Sequence, residues 1–211
     1  MRIFLAGTRA FGVAAGEAIM AMPGVEVVGA FAPRGDPLAA WGAHHGLWTA
    51  EKANAGDVKA SAADLIVAAH CHDYLGRLTR RAAPYGAIGY HPSLLPRHRG
   101  KSAIEWTVRM REPIAGGSVY EFDSGVDTGS VVLQDWCHVH PKWTASDLWR
   151  ERLFPMGVDL LVQSVAMYRD ARPVLARPQN LAFATWEPAI DGVPDLRRTE
   201  LLALTAGPTR E

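Results

Sequence analysis

Leu65-Ile66-Val67-Ala68-Ala69 is an unbroken apolar run with polar residues on both sides of it. A strand with one wet face alternates apolar and polar residues, so a strand without alternation must be covered on both faces, as in a parallel sheet sandwiched between helices. The chain's beginning shows how such a sheet is started. Residues 1–6 are mostly apolar and stop at Gly7-Thr8, residues 11–22 carry apolar side chains at helical spacing, Pro23-Gly24 breaks that pattern, and residues 25–31 are rich in β-branched positions. Strand, helix and strand in that order predict two parallel strands joined by a right-handed crossover.

Further along, residues 36–45 and 74–82 predict short helices, residues 86–90 a strand stopped by Pro92, and residues 103–111 another helix. From Ser118 the texture changes. Residues 118–122 and 130–139 predict two strands joined by the polar turn Asp123-Ser124-Gly125-Val126-Asp127-Thr128-Gly129, which suits an antiparallel pair. Thr144-Ala145-Ser146-Asp147 is a capping-box pattern ahead of a long helical segment that Pro155 should kink. Beyond it Val158, Leu161, Val162, Val165 and Tyr168 form a stripe that should face the core. After Ala171 the prolines at 173, 178, 188, 194 and 208 predict an extended wrap ending in a short helix or frayed end. The expected fold is one three-layer α/β domain, a mostly parallel sheet with an antiparallel edge. Its catalytic part should span residues 1–188, with a C-terminal tail over 189–211.

Twenty-two Lys and Arg balance twenty-two Asp and Glu, which leaves no basic face for a nucleic-acid partner. Cys71 and Cys137 form no C-x-x-C pair, and so sparse a cysteine usage suits a reducing, cytoplasmic location. Thr8 and Arg9 interrupt the first apolar run too early for a secretory signal, and no stretch approaches the ~20 apolar residues that span a bilayer, so no membrane partner is expected. Oligomeric state has no readable signature.

Three stretches could carry chemistry. Gly7-Thr8-Arg9-Ala10-Phe11-Gly12 lacks the G-x-G-x-x-G spacing of a dinucleotide fingerprint and reads as a tight strand-to-helix turn. His70-Cys71-His72-Asp73 follows the central strand. Successive residues on an extended chain point in opposite directions, which disfavours a metal site and leaves pocket lining at the carboxyl end of a strand or plain loop structure. In Tyr90-His91-Pro92-Ser93-Leu94-Leu95-Pro96-Arg97-His98-Arg99-Gly100, a histidine ends a strand and a loop with two prolines presents it rigidly. Asp127 is the natural partner, since a carboxylate folded back beside His91 would favour the imidazolium and make it a donor to a developing oxyanion. Without that fold-back, His91 is a strand-end histidine bonded to loop backbone and Asp127 satisfies its own turn. Arg97, His98, Arg99 and Lys101 make either a solvated basic turn or a contact for an anionic ligand group.

The run 91–100, the following Ser102-Ala103-Ile104-Glu105-Trp106-Thr107, and Asp127-Thr128-Gly129 resemble the formyltransferases that use 10-formyltetrahydrofolate. The loop looks most like the hydrolase domain of 10-formyltetrahydrofolate dehydrogenase, where a tyrosine also precedes the histidine. Leu153-Phe154-Pro155 with Gly157, Arg177-Pro178-Gln179 and Ala184-Thr185 extend the likeness. The resemblance implies a Rossmann-like sheet, 10-formyltetrahydrofolate as formyl donor, and His91 and Asp127 as the catalytic residues. It implies a folate site formed by Ala69, His70 and Cys71, by Tyr90, Ser93, Leu94 and Leu95, and by Asp123, Ser124, Gly125 and Val126. No metal is implied. The family's trio is Asn, His and Asp, and the position of the asparagine is held here by Gly89. A glycine there leaves the formyl oxygen to His91, with or without an ordered water, unless Gly89 has a backbone conformation closed to other residues or its space is filled by Tyr90 or by substrate. The expected activity is formyl transfer to an amine of a small molecule, with hydrolysis to formate and tetrahydrofolate as the alternative. A folate-binding protein without catalysis is the third reading. Methionyl-tRNA is disfavoured as acceptor by the neutral charge and by a length that leaves no room for the C-terminal domain of those enzymes.

Overall fold

The computed structural model describes residues 1–170 and 174–190, so most of the expected 189–211 tail lies outside the described residues. The strands are β1 (Arg2–Gly7), β2 (Glu26–Phe31), β3 (Trp48–Ala50), β4 (Leu65–Ala69), β5 (Ala87–His91), β6 (Ile114–Glu121) and β7 (Val131–His138). The helices are α1 (Arg9–Met20), α2 (Pro37–His44), α3 (Ala55–Ala60), α4 (Arg77–Arg80), α5 (Ala103–Arg109), α6 (Ala145–Leu148) and α7 (Phe154–Asp170). The strands form one sheet in the order β3-β2-β1-β4-β5-β6-β7. Pairing is parallel from β3 to β5 and antiparallel at β5–β6 and β6–β7.

All five residues of β4 are buried. Helices α1, α2 and α7 cover one face, where Leu38, Trp41, Leu161, Val165 and Tyr168 join Ile3, Leu5 and Val67 in the larger core cluster. Val58 of α3 and Leu75, ahead of α4, cover the other with Phe4, Ile66 and Ala68. Each fully buried Leu, Ile or Val stabilises the fold by roughly 1.5–3 kcal/mol, so the continuous run at 65–69 anchors both layers. No helix among the described residues is long and apolar enough to cross a membrane.

Local chemistry sets the helix starts. Asp36 caps α2 by accepting the Leu38 N–H at 2.8 Å, with Pro37 in the first turn. Thr144 and Asp147 form the reciprocal capping box at α6. The long segment is interrupted by one π-helical turn, Trp149–Leu153, where the Phe154 N–H reaches back to Trp149 O. Pro155 follows at once and cannot donate a helical bond, so the irregularity falls where the proline requires it.

The structure departs from the sequence reading in three places. β3 and α3 were not legible, because three residues paired only at the sheet edge and a helix of six carry little periodicity. The helix expected over 74–82 shrinks to α4, since residues 70–76 run as a loop fastened by the Arg80 guanidinium, which donates to the Leu75 carbonyl. β6 begins four residues before Ser118, because Gly116 and Gly117 continue the strand instead of breaking it. A Cβ at Gly117 would lie 2.3 Å from the Tyr90 ring, and one at Gly116 would lie 2.6 Å from Leu94. The glycines admit neighbouring side chains into the sheet.

Candidate active site

His91 is the last residue of β5, at the carboxyl edge of the parallel sheet. Its side chain is 9% exposed, and Nε2 lies 2.7 Å from the main-chain carbonyl of His98. A carbonyl only accepts, so Nε2 bears the ring's first proton. Nδ1 is then the ring nitrogen without a main-chain partner, and it faces Asp127 Oδ2 at 3.5 Å. In the neutral ring Nδ1 accepts; with a second proton it donates.

Asp127 has φ 54°, a left-handed conformation that aspartate tolerates better than most residues. Its Oδ2 accepts from the Gly100 N–H at 2.7 Å and its Oδ1 from the Tyr120 hydroxyl at 2.6 Å. Burial raises the Tyr120 pKa far above its ordinary value, and the Asp127 charge adds to it, so the phenol remains a donor. Gln179 holds the same turn from behind. Its Nε2 donates to the carbonyls of Asp127 and Gly129 at 2.9 and 2.7 Å, and its Oε1 accepts from Arg99 Nε and Nη2 at 3.1 and 2.7 Å. The segment 174–190 thereby clamps both the His91 loop and the Asp127 turn.

The basic loop is mostly committed internally. Arg97 pairs with Glu112, and Arg99 is bound to Gln179. The His98 ring is 2% exposed, with Nε2 3.2 Å from Glu112 Oε1 and Nδ1 3.0 Å from Glu187 Oε2. Neither contact is aligned as a hydrogen bond, so the interaction is ionic. Burial alone would lower the His98 pKa, and the two carboxylates reverse that to a net rise. Lys101 and Arg9 have no ion pair among the described residues. They lie close enough to His72 to depress its pKa, after burial as the larger cause.

His70, at φ 59°, closes onto the β1–α1 turn, with Nδ1 2.7 Å from Thr8 Oγ1. Burial first, then His72 and Arg9, push its pKa down to about 4, so this imidazole is neutral. Cys71, its pKa raised to about 11 mainly by burial, packs with Phe122 against the smaller core cluster. Among the described residues no group of three or more His, Cys, Asp or Glu side chains is placed to hold a metal ion.

The folate-site expectation divides along the strand. Gly89 pairs with Tyr120 and His91 with Ser118, so these four point to one face, and Tyr90 points to the other. The structure does not bring Tyr90 to His91: its ring packs on Phe11 and its hydroxyl donates to Leu153 O at 2.8 Å. Ser93 and Leu95 are buried within the loop. Ser93 Oγ bonds Arg97 O at 2.6 Å, and the Leu95 N–H bonds Ser118 Oγ at 3.0 Å. Leu94 faces Gly116. The Asp123–Val126 turn is exposed and braced by Asp123 Oδ1, which accepts from the Gly125 N–H and the Thr128 hydroxyl. The Ala69 carbonyl accepts from the Thr8 N–H at 3.3 Å. Gly89 has no left-handed φ, and Tyr90 is not what fills its space; the Phe122 ring is. Sequence reasoning missed Tyr120, Phe122 and Gln179. Tyr120 lies in β6 and Phe122 just beyond it, so both could be found only with the β5–β6 register in hand, and Gln179 stood in a quoted motif without a role.

Residues 37–165 match the formyl transferase family model, a segment that covers more than half of the chain and contains His91 and Asp127. The chain belongs to the formyl transferase family. It is 41% identical over 125 residues to mouse mitochondrial 10-formyltetrahydrofolate dehydrogenase, covering 59% of this chain and 13% of that one. This chain thus spans only a small part of that relative's length. Its fold is similar to that of glycinamide ribonucleotide transformylase 1 from Symbiobacterium toebii, with TM-score 0.72, 20% identity, and coverage of 85% and 94% of the two chains. It is also similar to an N-formyltransferase from Helicobacter canadensis solved with folinic acid and dTDP-3-aminofucose, with TM-score 0.71, 15% identity, and coverage of 88% and 70%. In this member of the family, Gln179 and Thr185 lie beyond the segment that the family model matches, yet they fasten the loops within it.

Proposed function

We propose that the protein transfers a formyl group from 10-formyltetrahydrofolate to an amine of a small-molecule acceptor. The observation that carries this reading is the buried His91–Asp127 pair at the carboxyl edge of the sheet, with only Nδ1 of the imidazole free to meet a ligand. As the amine attacks the formyl carbon, negative charge grows on the formyl oxygen, and protonated Nδ1 of His91 donates to it. Asp127, held by Gly100 and Tyr120, faces that imidazolium and can accept a proton from the attacking amine through water. When the carbon–nitrogen bond to N10 breaks, the proton taken from the amine passes from Asp127 through water to N10, and tetrahydrofolate leaves with the formyl group on the acceptor. Lys101 and Arg9 are the cations available to an anionic group of donor or acceptor.

Two features favour a second reading, hydrolysis of the same donor. Gly89 supplies no amide to the formyl oxygen, and the His91 loop resembles hydrolase domains.

Incubation with 10-formyltetrahydrofolate, followed by absorbance of tetrahydrofolate, separates the readings. Release that requires added amines supports transfer, and release without them supports hydrolysis. Absence of release in both, together with no rise in Tm on adding 5-formyltetrahydrofolate, would remove the folate reading altogether.

A further inference from the structure

The glycine beside the catalytic histidine leaves no vacancy. Gly89 pairs with Tyr120 on β6 and with Ala68 on β4, so a side chain at this position would stand on the His91 face. A Cβ there would lie 2.5 and 2.8 Å from Cε1 and Cζ of Phe122 and 3.0 Å from the Ala68 methyl. The backbone at Gly89 is not left-handed, so conformation does not demand glycine; space does. The Phe122 ring is held in that space. It stacks on Tyr120, with ring centroids 5.1 Å apart and planes inclined by 24°, and its N–H bonds Ala87 O at 2.8 Å. Tyr120 is the residue whose hydroxyl fixes Asp127. The plug and the acid's support are one aromatic unit.

We infer that Phe122 sets the polarity of this site: its ring occupies the volume over Gly89 that a second hydrogen-bond donor would need, and it makes the wall beside His91 apolar. The inference rests on the proposed reaction, in which the formyl oxygen meets His91 Nδ1. With Phe122 in place, that oxygen is stabilised from one side only. An apolar wall admits no water to replace the missing donor, and it strengthens the single remaining interaction by lowering the local dielectric.

The test is an exchange of volume between the two positions, using Gly89→Asn, Phe122→Ala and the two combined in the full chain. Gly89→Asn alone should lower Tm and slow tetrahydrofolate release, since amide and ring contest one space. Phe122→Ala alone should lower Tm by opening a cavity. The combination should recover Tm relative to Gly89→Asn and release tetrahydrofolate about tenfold or more faster than the unaltered protein, the scale of one added oxyanion donor. Gly89→Ser with Phe122→Leu repeats the comparison with a smaller donor if the first combination does not fold. Additive Tm losses at 89 and 122 would overturn the plug. A folded combination that 5-formyltetrahydrofolate still stabilises, but that shows no gain in rate, would overturn the role given to the vacant donor. If the unaltered protein neither binds folate nor turns over, the proposed reaction fails, and the Tm coupling still decides whether Phe122 fills this space.

Discussion

The two faces of β5 have opposite characters although their residues alternate along five positions. On one face Tyr90 sits among Phe11, Gly117 and Gly157, in contact with the aromatic group of Phe11, Trp149 and Phe154, with its hydroxyl satisfied by Leu153 O. On the other, Gly89 and His91 face Phe122, Tyr120 and Asp127, and one imidazole nitrogen is left for a ligand. The first face is closed and stores stability; the second keeps an unspent polar edge beside a carboxylate. Proximity to the site along the strand therefore predicts less than parity does, because a strand turns successive side chains to opposite sides.

This contrast can be broken from either side, and the largest effects should come from truncation. His91→Ala should cut formyl release by ~100-fold or more, as expected for loss of an oxyanion donor. Tyr90→Ala should instead cost about 3–5 kcal/mol of stability through the cavity it opens among close-packed rings. Denaturant unfolding with initial rates separates the two. If Tyr90→Ala reduces the rate of the still-folded fraction as much as His91→Ala does, the division between faces is wrong.

Next in size is the clamp. Gln179→Glu keeps an acceptor for Arg99 but removes both N–H donors to the Asp127 and Gly129 carbonyls. Kcat should fall about tenfold while the Tm rise produced by 5-formyltetrahydrofolate is preserved, the sign of a positioning residue that makes no ligand contact. An equal loss in binding would show that the strap shapes the folate site itself.

A smaller effect should appear as pH dependence of stability. His98 titrates above its ordinary value in the folded protein because two carboxylates outweigh its burial. A histidine raised in this way contributes stability that is complete below its unfolded pKa of about 6.5 and is lost as pH rises through the folded value. The Tm advantage of the unaltered protein over His98→Gln should therefore be greatest near pH ~6 and shrink toward pH ~9. A constant difference would mean that shape and not charge makes the clamp. The smallest effect is expected from Tyr90→Phe, about 0.5–1.5 kcal/mol for the lost hydrogen bond to the Leu153 carbonyl, with no change in rate.

The sheet was legible because the pattern that makes a buried parallel strand is local: five apolar residues at 65–69 suffice, and the β1–α1–β2 unit is written in its breaks at Gly7 and Pro23-Gly24. His91 and Asp127 were legible by strand end, turn chemistry and resemblance together, and the structure brings them face to face. What surrounds them was not. Phe122 acts on Gly89 through a cross-strand register, Gln179 reaches Asp127 across 52 residues of sequence, and His98 is balanced by Glu112 and Glu187 from two different segments. Each depends on where the chain returns, and periodicity carries no record of that. Tyr90 was expected beside the folate, but its ring lies against Gly117 on the opposite face, a packing contact that only the β5–β6 register reveals.

The most direct test of the His91–Asp127 pair is a double-mutant cycle on tetrahydrofolate release, with His91→Ala, Asp127→Asn and both changes together. Two groups acting on one transition state should lose their effect together, so that the double variant is slower than the worse single variant by only a few-fold. Losses that multiply would contradict the account, since they would show that the imidazole and the carboxylate, 3.5 Å apart in the fold, do their work independently.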